Sequence, residues 1–478
     1  MPTLTINGQS VSVEQGTLLI DACRVAGIDI PHFCYHPCLK VVATCRMCLV
    51  EVKGQPKLVT SCSTTVADGM EVLTDSKAVA QARAGIVEFL SINHPLDCPV
   101  CDKAGECKLQ DYAYQYGSGD DRMIDAKRRY GYEDLGAKIV VDKNRCIHCT
   151  RCVRFTREIT GGGELTTTYR GSHLEVTTFE GVTLDSNPFA GNVVELCPVG
   201  ALTSRDFRFK KRTWYLKPIP TISRHGADAK TIWADVDNNQ LWRFRARPDG
   251  NITPTRFISD EERFSWKRYC IDPSTRQTSP VLGKKNASLV DICKALHSCN
   301  SVAVVAQGTF GCDALQQIGE LATSESLRYA SGNKRFQIQN SAIQKSEDGV
   351  INRAGALARG YRFDALKELF SKVESKEVTA VVIYHDSEFS DESECNLLKQ
   401  IVEKAPFSLL LEPIPSDLAN IATATLPVTT YLEESDFIVD HQGNIKRYLK
   451  ALEPPKGIKT PASWIRELSA VSATSEAG

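Results

Sequence analysis

The chain is 478 residues long, which at roughly 150 residues per domain predicts about three domains. Its 57 basic and 58 acidic residues leave a formal charge of −1, which argues against a dedicated nucleic-acid binder, because such proteins carry a basic footprint. With 42% hydrophobic and 24% charged residues it has a globular rather than a disordered composition, and no apolar run approaches the roughly 18 residues that span a bilayer.

Residues 1–75 read as short strands and turns. Leu4 to Ile6 and Val11 to Val13 flank Asn7-Gly8, a strong hairpin signal. Because the strand pattern begins at once, no secretory leader is expected. Thr17 to Ala26 has helical spacing and stops at Gly27; Leu49 to Val52 and Lys57 to Thr60 resume strand patterning. A short helix on a small mixed sheet is expected. Ser76 to Asn93 predicts a helix with Ala, Ile, Val, Phe and Leu on one face, ended by His94-Pro95. Residues 94–135 hold a cysteine cluster and then a polar, Tyr-rich helix or loop. Residues 138–210 form a second cysteine-bearing unit with a break at Gly161-Gly162-Gly163.

The paired prolines of Lys217-Pro218-Ile219-Pro220 predict a boundary where regular structure stops. Strand-like segments rich in Trp, Phe and Arg follow to about residue 272. After Gln277 to Ser288, the apolar runs Ser301 to Ala306, Val378 to Tyr384 and Phe407 to Leu411 alternate with helical segments. Those are Asp313 to Ala322, Phe363 to Val373 and Asn396 to Ala405, an order that predicts a largely parallel sheet. The small, polar tail Ala470 to Gly478 reads as frayed.

Cysteine carries the functional signal. Of 18 cysteines, 13 lie in the first 200 residues. Clustered thiols without an export signal point to metal rather than disulfides. A first set, Cys34, Cys45, Cys48 and Cys62, has gaps of 10, 2 and 13 residues. Four thiolates on such a loop suit a [2Fe–2S] cluster, and they also suit tetrahedral zinc. A second set, His94, Cys98, Cys101 and Cys107, reads H-x₃-C-x₂-C-x₅-C; on composition alone zinc and a [4Fe–4S] cluster both fit. A third set, Cys146, Cys149, Cys152 and the remote Cys197-Pro198, has the spacing that wraps one [4Fe–4S] cubane. A two-cluster ferredoxin would place four more cysteines where Thr156, Asn187, Ala190 and Val193 stand, so this unit reads as reduced to a single cluster. Cys23 is expected to be a packed apolar residue, Cys38 a bystander near the first set, and the five cysteines from Cys270 onward structural.

These motifs together resemble the 75-kDa iron–sulfur subunit family of NADH:quinone oxidoreductase, respiratory complex I. The likeness rests on Phe33 to Pro37, Thr44 to Val52, His94 to Cys101, Gly105 to Gln110, Cys146 to Cys152 and Glu195 to Leu202. It implies an α+β multidomain chain: a β-grasp [2Fe–2S] ferredoxin-like domain over 1–78, a helical His-Cys₃ [4Fe–4S] domain over 79–137 and a one-cluster ferredoxin-like domain over 138–216. A β-rich segment over 217–275 and a trimmed, degenerate α/β molybdopterin-oxidoreductase-like module over 276–478 would follow, with Ala424 to Pro427 similar to that module's late segment. An extra cluster found after the boundary in some family members is not expected, since no cysteine lies between Cys197 and Cys270. No pterin is expected either.

What the resemblance implies for function is an electron relay without catalytic residues of its own. Its cofactors would be one [2Fe–2S] and two [4Fe–4S] clusters. A G-x-G-x-x-G after a strand and a P-loop are both absent, and the glycines Gly308 to Gly311 read as tight packing. NADH and flavin therefore belong to a partner subunit, and quinone-side iron–sulfur subunits receive the electrons. The chain would touch the membrane only through the assembled complex, on the cytoplasmic face in a bacterium or the matrix side in a mitochondrion, and would bind no nucleic acid. Arg46, Lys108, Arg145, Arg151 and Arg154 stand beside ligands, where they either offset cluster charge or are solvated; the run Arg205 to Arg212 reads as a partner face or a solvated loop. The neutral His94 should raise the potential of its centre relative to an all-cysteine site. Two other readings are an iron–sulfur subunit of an NAD-linked hydrogenase or formate dehydrogenase diaphorase, and a non-redox zinc scaffold.

Overall fold

The computed structural model describes residues 1–117, 119, 122–225, 229–247, 257–270, 272–307, 309–331, 351–386, 389–440 and 442–476. Contacts divide the chain into two units. The first is Met1–Leu216 joined by residues 257–260, and the second is the rest of the described chain from Lys217. The chain is thus a multidomain α+β protein.

The first unit opens with the hairpin Thr3–Ile6 and Gln9–Ser12, turned by Asn7 and Gly8, both with positive φ. Its first strand pairs in parallel with Glu71–Leu73, which pairs antiparallel with Leu49–Val52, and Val59–Thr60 closes this five-stranded mixed sheet. The helix Leu19–Val25 buries Leu19, Ile20, Ala22 and Cys23 against Leu4, Ile6, Val50 and Val72. Cys23 is thus the packed residue expected, and burial pushes its thiol up to about 11.

The helix Lys77–Ser91 begins at Ser76, whose hydroxyl accepts the Val79 N–H. Its buried face differs from the expected one. Val79, Arg83 and Val87 point inward while Phe89 is 75% exposed. In its buried place Arg83 donates from its two terminal nitrogens to the Tyr116 hydroxyl and the Leu49 carbonyl. Beyond it, helix Lys108–Tyr116 precedes a three-stranded antiparallel sheet of Tyr132–Asp134, Ile139–Asp142 and Leu202–Ser204. A separate hairpin pairs Leu165–Thr168 with Glu175–Thr178.

Residues 257–260 return to this unit, which the sequence pattern does not reveal. Asp260 accepts the Gly191 N–H at 2.7 Å and pairs with Lys138 at 3.0 Å, and Asn192 donates to the Ile258 carbonyl. The strand reading up to 272 is also corrected, because Asp260–Phe264 and Ser265–Tyr269 are helical.

The second unit begins where a boundary is expected, but Lys217–Ile222 is a strand rather than a break. Among the described residues it is an edge strand, pairing with Thr231–Asp237 alone, and an edge tolerates prolines that lack an N–H. The main sheet has seven strands among the described residues. Five run parallel in the order Ala424–Pro427, Phe407–Glu412, Ala380–Tyr384, Val302–Gln307, Arg328–Ser331, and the hairpin Val281–Leu282/Lys285–Asn286 adds an antiparallel edge. Helices cover both faces, giving two cores: one around Val304, Val382, Leu409 and Leu315, the other around Val305, Ile383, Leu410 and Leu398. Of the tail expected to fray, Ala470 to Glu476 continue the helix Pro461–Glu476, whose Trp464 indole donates to the Pro427 carbonyl; Ala477 and Gly478 lie outside the described residues. Gly308 lies outside the described residues; at Gly311 a Cβ would meet Asp436, so close packing accounts for that glycine.

Candidate functional site

All three ligand sets fall in the first unit. The first occupies the loop leading into strand Leu49–Val52. Ala43 and Arg46 take left-handed φ of +49° and +59°, which turns the backbone around Cys45. The Cys45 sulfur accepts the Cys34 N–H at 3.4 Å. The four sulfurs form a continuous run. Hydrogen bonds from Cys45 and Cys62 hold the Cys34 thiol below its ordinary value, while that bond to Cys34 raises Cys45. A bond from Cys62 takes Cys48 down to about 7, and the bonds to Cys34 and Cys48 leave Cys62 raised. The Cys38 N–H is donated to His36 Nδ1.

The second set is built by a turn and a helix start. Cys98 opens the 3₁₀ turn Cys98–Val100 with Pro99 fixing its first residue, and Cys107 stands at the N-cap of helix Lys108–Tyr116. Cys101 and Cys107 are buried, and burial raises both thiols, Cys107 to about 11. Cys98 is exposed. Cys101 lies against the backbone that follows Cys197, since a Cβ on Gly200 would stand 2.2 Å from its sulfur.

His94 is linked to this set less directly. It lines a groove with Cys45, Cys146 and Cys149, and the Arg145 charge acts on both His94 and Cys101. Burial, then Arg145, lowers His94 to about 4, so its imidazole is neutral, the form that ligates metal. Its Nδ1 is buried without a hydrogen-bond partner. That orphaned nitrogen fits a ligand role.

The third set is the best formed. His148 and Thr150 take left-handed φ of +53° and +57° on either side of Cys149, and the His148 N–H is donated to the Cys146 sulfur at 3.4 Å. The short helix Arg151–Arg154 then passes into a π turn, Phe155–Ile159, a helical variant frequent at functional sites. Cys146, Cys149, Cys152 and Cys197 all line one small void whose other walls include Val141, Val176, Val199 and Leu202. Burial pushes Cys146 up to about 12 and Cys149 to about 11, and raises Cys152 further, with the neighbouring thiols adding to each shift. Four thiols around an apolar void fit an iron–sulfur cluster: sulfur ligands, a dry shell and room between them. Among the described residues no group of three His, Cys, Asp or Glu side chains is placed to hold a single metal ion.

The positions of the missing second ferredoxin cluster are filled. Thr156, Asn187, Ala190 and Val193 are all buried, the Thr156 hydroxyl bonds the Val153 carbonyl, and the Asn187 amide bonds Thr160 and Glu164. Among later cysteines, Cys270, Cys293 and Cys299 donate to backbone carbonyls and Cys312 to Asn352.

The five basic residues beside ligands divide. Arg46 and Lys108 are exposed. Arg145 is 2% exposed and pairs with Asp97 at 2.9 Å and Asp142 at 3.1 Å, leaving Nη1 buried and unpartnered near the second set. Arg154 is buried and Arg151 half-buried. The Arg205 to Arg212 run is only partly solvated, because Arg212 donates to the Cys101 carbonyl and Arg208 lies over Tyr132 and Phe209. Sequence reasoning missed Gly200, Asp97, Asp142 and Arg212 as supports of the second set; Gly200, Asp97 and Arg212 meet their partners across long sequence separations, and the local Asp142–Arg145 pair reaches the set only through the fold.

Family models match four stretches of the chain. Residues 1–77 match the family described as 2Fe-2S iron-sulfur cluster binding domain, and residues 83–122 the NADH-ubiquinone oxidoreductase-G iron-sulfur binding region. Residues 136–203 match the ferredoxin-like domain of NADH-quinone oxidoreductase subunit 3, and residues 285–471 match molybdopterin oxidoreductase. The chain is 44% identical over 266 residues to the NADH-quinone oxidoreductase G subunit of Rickettsia bellii (strain RML369-C), covering 56% of this chain and 39% of that protein. It is 42% identical over 284 residues to the NADH-ubiquinone oxidoreductase 75 kDa subunit of Reclinomonas americana, 59% of this chain and 40% of the relative. A mitochondrial 78 kDa subunit from Neurospora crassa is 44% identical over 264 residues, 55% and 35% of the two chains. The chain thus spans about two fifths of the length of these curated relatives. Among solved structures, an NAD+-reducing [NiFe]-hydrogenase in its H2-reduced state matches 44% of this chain and 91% of its own at 28% identity, with a TM-score of 0.40. Among the described residues no helix is long and apolar enough to cross a membrane.

Proposed function

We propose that this chain, a homologue of the NADH-quinone oxidoreductase 75–78 kDa subunits, is the iron–sulfur electron-transfer subunit in the peripheral arm of such a complex, relaying single electrons from a flavin subunit toward quinone. In this reading Cys34, Cys45, Cys48 and Cys62 hold a [2Fe–2S] cluster. His94, Cys98, Cys101 and Cys107 hold one [4Fe–4S] cluster, and Cys146, Cys149, Cys152 and Cys197 hold another. Each cluster, when bound, takes up and gives back one electron. The observation that carries the reading is the shared apolar void faced by all four thiols of the third set.

The chain's own residues supply ligands, insulation and charge. Val141, Val176, Val199 and Leu202 keep water from the third set. Arg145, buried beside the second set, offsets thiolate charge there, and neutral His94 removes one negative charge from that set. The N–H groups of Cys34 and His148 donate to ligand sulfurs, which favours the reduced, more negative state. Partners in this reading are an NADH- and flavin-binding subunit and the quinone-side iron–sulfur subunits, with the chain held at the cytoplasmic or matrix face by the assembled complex. The module over 276–478 serves as a scaffold without pterin.

Metal analysis of the anaerobically purified full chain tests this. The expected result is about ten iron and ten acid-labile sulfide per chain, the content of one two-iron and two four-iron clusters, with zinc about tenfold lower. A colourless protein with stoichiometric zinc would remove the reading.

A further inference from the structure

Two arginines in the first unit reach from one thiol set to another. Arg154 is buried, and one guanidinium nitrogen donates to the carbonyls of both Cys34, at 2.5 Å, and Cys149, at 3.3 Å. Its other nitrogens donate to the Lys40 carbonyl at 2.6 Å and the Thr150 hydroxyl at 3.3 Å. Arg151, one turn earlier, donates to the carbonyls of Tyr35 and Leu196, the neighbours of Cys34 and Cys197. Its charge acts on Cys149 and Cys197 of the third set and on Cys45 and Cys34 of the first.

Every partner of these two guanidinium groups is a carbonyl or a hydroxyl; among the described residues no carboxylate pairs with either. Arginine stays charged, and a desolvated cation without a counter-ion is strongly unfavourable. Arg145 meets that requirement with Asp97 and Asp142. For Arg151 the nearby thiols belong to both sets, Cys149 and Cys197 on one side and Cys45 and Cys34 on the other, while Arg154 acts on Cys149 and reaches the first set through the Cys34 carbonyl. The planar fork lets one cation serve both.

We propose that Arg151 and Arg154 are shared positioning residues, a two-cation bridge that holds the first and third centres at fixed spacing and raises both reduction potentials together. The inference rests on the cluster reading above. A positive charge stabilises the more negative reduced state, so each centre gains its electron more readily beside the bridge.

The test is a dithionite titration of the anaerobically purified full chain, followed by EPR at temperatures that separate the three signals. In Arg151→Met the first and third centres should both show a reduced-to-oxidised ratio at least tenfold lower at the same ambient potential, about 59 mV for a one-electron centre. The second centre, beside Arg145, should titrate as in the wild type. Arg151→Gln keeps a donor toward the Tyr35 carbonyl while removing the charge, and should give the same shift if the methionine variant fails to fold. Arg151→Lys should restore both potentials. A shift confined to one centre, an equal shift of all three, or no shift would overturn the proposal. Wild-type protein lacking the three signals would instead overturn the cluster reading, and this inference with it.

Discussion

At Gly200 a hydrogen in place of a methyl group decides whether a cysteine can reach its position. A Cβ there would lie 2.2 Å from the Cys101 sulfur, with Lys103 Cβ at 3.3 Å and Arg145 Cδ at 3.6 Å behind it. None of these can recede freely, because Arg145 is pinned between Asp97 and Asp142 and Lys103 donates to the Val194 carbonyl. Gly200→Ala is therefore expected to displace Cys101 and cost the protein its second centre alone, about four iron per chain. Iron counts and EPR of the purified variant check this; a full iron load with three signals would contradict it. The contact is invisible to motif reading because Cys101 and Gly200 are brought together only by folding, through such links as Lys108 N–H to the Pro198 carbonyl at 3.1 Å.

At the scale of elements, ends and turns carry much of the specification. The helix Cys312–Gly319 has no side-chain cap at Gly311; instead the Asp436 carboxylate, from a strand more than a hundred residues away, accepts the N–H groups of Asp313 at 3.1 Å and Ala314 at 3.2 Å. A negative charge on an otherwise uncapped first turn matches the helix dipole. Asp436→Ala should cost the second unit about 1–2 kcal/mol. In a unit of this size that lowers the unfolding midpoint by about 2–8 °C, readable by calorimetry. An unchanged midpoint would show the cap to be idle. Local signals gave a fair account of where elements lie, as with Asn7-Gly8 and Ser76. They failed where a neighbour overrides propensity: Pro218 and Pro220 read as a stop but occupy a sheet edge, and Phe89 reads as core but faces outward while Arg83 takes the interior.

Across the whole molecule, the candidate thiol sets and the remaining described cysteines of the second unit lie apart. The three thiol sets all lie in the first unit, whereas Cys270, Cys293, Cys299 and Cys312 of the second make ordinary thiol hydrogen bonds. Ligand binding stabilises only the part that binds. Stripping the metal with chelator and oxidant should therefore lower one calorimetric transition and leave another in place; a uniform fall of both would contradict the division. The same separation governs what could be read in advance. Ligand sets are written in short spacings, so Cys146-x₂-Cys149-x₂-Cys152 is legible at sight. The shells around them are assembled from distant segments, so the return of residues 257–260 and the reach of Arg154 to Cys34 are not. The buried quartet Thr156, Asn187, Ala190 and Val193 has an evolutionary consequence. Any one of them mutated to cysteine would leave a lone thiol in packed protein, and at 187 it would also break the amide's ties to Thr160 and Glu164. One substitution adds one thiol where a cluster needs four ligands, so no single point mutation at these positions supplies a second cluster site.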